Sequence, residues 1–115
     1  MTNVTIFKNS GVIVGFVSKG HADAEDELGS VVCNGISSLT LTSILSLREI
    51  ASISESCMEI EQEDGYLVLR LEKDIADEIK AQTILQFLEV GLKAIQENYK
   101  KYMNLKIQEV NDDSF

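Results

Sequence analysis

The chain has no proline, one histidine and two cysteines. It carries 10 basic residues against 19 acidic ones. Each shortage excludes something. With no proline, no internal repeat and no low-complexity stretch, nothing marks a linker, so the 115 residues are read as one domain, 1–115. One histidine and two cysteines without a CxxC pair give no zinc-like spacing, so no metal and no cofactor are expected. Gly29 and Gly35 form no phosphate loop, because no lysine follows them. No apolar run reaches the ~18 residues of a membrane span, and Met1-Thr2-Asn3-Val4 lacks the basic-then-apolar pattern of a signal peptide. A cytoplasmic location with free thiols is therefore expected. The net charge of −9 disfavours nucleic acid, whose binding relies on Lys and Arg at phosphates, and fits a basic partner better.

What is present reads as alternating short strands and long helices. Val4 and Ile6 share one face of a first strand, Thr2 to Lys8. Asn9-Ser10-Gly11 predicts a hairpin turn into a second strand, Val12 to Lys19. There Val12, Val14 and Phe16 lie on one face, and Ile13, Gly15 and Val17 on the other. Gly20 ends that strand. The acidic run Ala22 to Leu28 reads as a solvated loop. Ser30 is read as the N-cap of a helix from about Val31 to Ala51. Met58 and Ile60 face inward on a third strand, and Asp64-Gly65 is a two-residue turn into a fourth, Tyr66 to Leu71. Asp74 is read as the cap of a long helix whose apolar stripe runs from Ile75 to Tyr102. Leu105 to Val110 closes the series. The order ββαββαβ predicts an α+β fold, a two-layer α/β sandwich with a mostly antiparallel sheet packed against two helices.

The chemistry concentrates between the second strand and the first helix. His21 falls just past a strand end, and Cys33 is placed in the first turn of a helix. Free N–H groups at a helix start carry partial positive charge and favour thiolate over thiol. A neutral imidazole nearby can take the thiol proton. Taken singly, each residue is more often unremarkable: a surface or core histidine, and a cysteine packed as a small hydrophobe. Their position at one strand-to-helix junction raises both as candidates. Ser37, one helical turn beyond Cys33, shares its face. Ser37 and Ser38 lack a second histidine to act as nucleophiles themselves. Cys57, at a strand start, is read as structural.

At these residues the chain resembles the ribosomal-processing cysteine protease family, Prp. That family's pattern is Gly-His-Ala, a short loop, Asp-Ile-Val-Cys-Ala and a following serine. Gly20-His21-Ala22 matches fully, Val31-Val32-Cys33 matches conservatively, and Ser37 matches the serine. Ser30 stands where the family has Asp, and Asn34 where it has Ala. The resemblance covers essentially the whole chain. It implies His21 and Cys33 as catalytic residues, and Gly20, Asp23, Ser30, Asn34 and Ser37 as substrate-binding ones. It further implies removal of a short N-terminal extension from the precursor of large-subunit ribosomal protein number twenty-seven, and a homodimer. With Ser30 in place of the carboxylate, Asp23 or another loop acid has to orient the imidazole. A competing reading is an impaired family member that binds a basic protein tail at the ribosome without cutting it.

Overall fold

The computed structural model describes residues 1–21 and 26–111. One five-stranded sheet is built from β1 (Thr2–Asn9), β2 (Val12–Lys19), β3 (Glu59–Glu63), β4 (Tyr66–Arg70) and β5 (Met103–Glu109). Its spatial order is β3-β4-β2-β1-β5. Every neighbouring pair is antiparallel except β1–β5, which is parallel. The helices are α1 (Glu27–Glu49), a single turn α2 (Lys73–Ala76), and α3 (Ile79–Asn98). The expected ββαββαβ order and α+β class hold, with α2 as an added turn.

The β1–β2 turn has Ser10 at φ 51° and Gly11 at φ 84°. Two successive positive values give the turn twist that suits a tight hairpin. Along β2 the simple alternation breaks. The register shifts after Phe7, which pairs with Gly15, while Lys8 pairs with Ile13. Val14 is the extra residue of a bulge, so Ile13 and Val14 are both buried. Gln82 of α3 repairs the ladder there. Its Nε2 donates to Ile13 O and Ala76 O, and its Oε1 accepts from Ile13 N–H, all within 2.9 Å.

One face of the sheet carries Val4, Ile6, Phe16 and Leu69 against Val32, Ile36 and Leu47 of α1 and Leu85, Leu88 and Leu92 of α3. By length and composition alone α1 is apolar enough to cross a membrane, contrary to the sequence expectation. One stripe of it, Val32, Ile36, Thr40, Ser43 and Leu47, is nevertheless buried in the protein.

Three boundaries differ from expectation. Helix α1 starts at Glu27, and its N-cap is Asp26, whose carboxylate accepts from Leu28 N–H at 3.0 Å. Ser30 is a helical residue, not the cap. The acidic run is thus partly helix: Glu27 lies in the first turn, where negative charge is favourable. Asp26 is held from afar by the Tyr102 hydroxyl. That bond, followed by the bond from Leu28 N–H, keeps its carboxyl below the usual range. The second long helix is split. Asp77 leaves helical geometry, and Glu78 caps α3 by accepting from Lys80 and Ala81 N–H, so Asp74 is not the cap. Cys57 lies exposed in a 3-10 turn, Glu55–Cys57, and is not a structural strand residue. Ile60, expected to face inward, is instead partly exposed on the edge strand β3.

Across the core, Glu89 of α3 is buried, with Lys8 Nζ at 3.0 Å and Lys93 Nζ at 2.7 Å. Burial pushes its carboxyl up, but the two ammonium groups more than offset that and hold it below the ordinary glutamate value. A depressed folded-state value contributes stability above the unfolded value and loses it as pH falls through the folded one. Glu89→Gln should therefore cost about 1–3 kcal/mol at neutral pH, with the difference closing under acid. Urea unfolding of both proteins across pH 3–7 (roughly the carboxylate titration range) checks this.

Candidate active site

Strand β2 delivers the histidine. At Gly20 the backbone takes φ +89°, and an added Cβ would stand 2.6 Å from Met1 O. Only glycine lets the chain turn there against the first residue. Gly20 N–H donates to Gly65 O at 2.8 Å, and His21 O accepts from the Met1 amino group at 2.8 Å. The backbone of His21 is therefore pinned on both sides. Its imidazole, half exposed, lies over the β3–β4 turn. Nε2 is 2.7 Å from where a Gly65 Cβ would be, and 3.7 Å from Asp64 Oδ1.

Cys33 comes from α1. It is partly buried against the core and is a free thiol. Being the seventh residue of a helix that begins at Glu27, it lies well past the first turn, so the free N–H groups of the helix start are beyond its reach. The sequence expectation of a cysteine in the first turn, under the direct field of the helix start, is corrected. The cause is the earlier cap at Asp26.

His21 and Cys33 nevertheless line one cleft of about 370 Å³ between α1 and the β3–β4 hairpin. Gly20 and Ser37 line it too, as expected. Ser30 and Asn34 are not among its lining residues, because their side chains leave α1 in other directions from Cys33 and Ser37. Asp23 lies outside the described residues. Ile36, Leu41 and Leu67 give the cleft an apolar wall, while Gln62, Glu63 and Asp64 give it a polar and acidic end. The buried Thr2 hydroxyl, which also faces it, has no hydrogen-bond partner among the described residues. Among the described residues no cluster of His, Cys, Asp or Glu has the arrangement of a metal site.

The sequence reading missed the hairpin's contribution. Asp64-Gly65 was legible as a turn, but not as a neighbour of His21. The pairing of Lys19 with Tyr66 puts that turn beside the residues that follow β2.

Comparison with known families bears on the same residues. The model of the family described as cysteine protease Prp matches residues 1–104. The chain belongs to this family. Two solved structures of an essential ribosomal processing protease Prp from S. aureus share the fold. One, in complex with a covalently linked product peptide, is 28% identical with a TM-score of 0.80. The other, with a substrate peptide, is 27% identical with a TM-score of 0.81. Both alignments cover 94% of this chain and 100% of the Prp chain. A Streptococcus mutans protein at 23% identity, with 96% of each chain covered and a TM-score of 0.80, shows the same fold. Comparison with curated proteins finds no match. The Prp match spans β1 through the start of β5, and so includes both His21 and Cys33.

Proposed function

We propose that this protein is a cysteine endopeptidase that removes a short N-terminal extension from large-subunit ribosomal protein number twenty-seven, in the cytoplasm. The observation that carries the reading is that His21 and Cys33, contributed by a strand end and a helix, open onto one cleft in a member of the Prp family. The peptide-bound S. aureus structures support a peptide substrate. In the proposed reaction His21 takes the Cys33 proton and the thiolate attacks the scissile carbonyl. The amine leaves with the proton from His21, and water then releases the acyl group from sulfur. Glu63, at the acidic end of the cleft, suits a basic tail.

Incubation with the precursor, followed by N-terminal sequencing of the product, tests this. A single new N-terminus is expected; an intact precursor overturns it. The alternative, a binding module that does not cut, draws support from Cys33 lying past the helix's free N–H groups. Retained precursor binding without cleavage would select it. The homodimer that the family resemblance implies is part of the proposal, and analytical ultracentrifugation decides it.

A further inference from the structure

The β3–β4 turn makes contacts with His21 that its role as a hairpin does not require. Gly65, at φ +70°, lies so close beneath the imidazole that any side chain there would collide with Nε2. Its carbonyl holds Gly20 N–H, one residue before His21. Asp64 places a carboxylate oxygen 3.7 Å from the same ring nitrogen. One dipeptide thus sets the backbone, the floor and the charge on one side of His21.

We propose that Asp64-Gly65 is the positioning element of His21, in which Gly65 seats the ring and Asp64 stabilises the imidazolium that forms when Cys33 loses its proton. At 3.7 Å the pair is too long for a hydrogen bond to the neutral ring, but it is within ion-pair distance once the ring is charged. The step is a single proton transfer. The S–H bond breaks, an N–H bond forms, and the products are a thiolate and an imidazolium. With Nε2 turned toward Asp64, Nδ1 is the nitrogen left to accept that proton. Asp64 is therefore a positioning residue, acting through His21 without touching substrate. Ser30 is not needed for this role, since the acid comes from a different element.

Both partners of the pair are solvent-exposed, which bounds the effect: exposed ion pairs change equilibria by up to about fivefold and are screened by salt. The inference rests on His21 being the catalytic base, and the experiment separates the two. Because His21 is the only histidine, its ring gives a single set of NMR signals. In the full-length protein, contacts from the ring protons to Gly65 Hα are expected. Asp64→Asn should shift the ring signals at low salt, while Asp64→Glu should restore much of the wild-type pattern. In the cleavage assay Asp64→Asn should lower kcat about three- to fivefold at low salt with KM unchanged, and the deficit should disappear at about 1 M salt, where screening is complete within a few ångströms. Ring signals that ignore Asp64→Asn overturn the positioning role, whether or not the protein cleaves. If the ring signals respond but wild-type protein does not cleave, it is the protease reading that fails. A deficit confined to KM, or one that persists in high salt, overturns the electrostatic role of Asp64.

Discussion

Replacing Cys33 by alanine should lower the rate of precursor cleavage by at least about a thousandfold, and His21→Ala should do nearly the same. The nucleophile and its base act as a unit, so removing either forfeits most of the chemistry that both provide. What survives is binding. The cleft keeps its apolar wall of Ile36, Leu41 and Leu67 and its acidic end in both variants, so peptide affinity should change by less than about tenfold. Cys57→Ala is the control: that thiol is exposed on a 3-10 turn, is absent from the cleft lining, and should leave the rate unchanged. Single-turnover kinetics with a fluorogenic extension peptide, alongside anisotropy for binding, reads both quantities. Cleavage that persists in Cys33→Ala would place the nucleophile elsewhere.

The second large effect concerns stability. Phe16 is completely buried on β2, paired with Ile6 on one side and Leu69 on the other. It fills the centre of the layer between sheet and helices. Truncation to alanine should cost about 3–5 kcal/mol, a transfer loss plus the cavity left behind. Small domains have only about 5–15 kcal/mol to lose, so the urea midpoint should fall sharply while the slope stays the same. A shift of under about 1 kcal/mol would mean that the neighbouring side chains collapse into the space, contrary to the close packing expected of a protein interior.

Much of this architecture was legible because it is local. Ser10-Gly11 and Asp64-Gly65 declare their turns, and the alternation of Val4 and Ile6 declares a buried face. The motif residues His21 and Cys33 were legible as a pair because the junction that holds them is short in sequence. What escaped the sequence is set at a distance. The true start of α1 depends on Asp26 being held by Tyr102, 76 residues away. The bulge at Val14 is tolerated because Gln82, 69 residues from Ile13, supplies the missing backbone partners. The break between α2 and α3 goes with a fresh cap, Glu78 accepting from Lys80 and Ala81 N–H, a feature that helix periodicity does not register. Asp64 reaches His21 only through the register of β4 on β2, which no local pattern encodes.

The parallel pairing of β1 with β5 joins Asn3 to Asn104. The other flank of β1 is closed by a tight hairpin within the first 19 residues. These two closures differ greatly in chain entropy, since the cost grows with the length of the intervening loop. They also differ in timing during synthesis, which runs from the N-terminus. The β1–β2 hairpin can pair as soon as it emerges, whereas the strand that covers its open edge, Met103–Glu109, is made much later. Until that strand is made, the nascent chain carries a bare strand edge, the kind of surface on which other chains can add. Thr2, on β1, lines the cleft and hydrogen-bonds through its backbone N–H to Tyr102 O. The strand that protects the edge thus also ties down Thr2 on one side of the cleft.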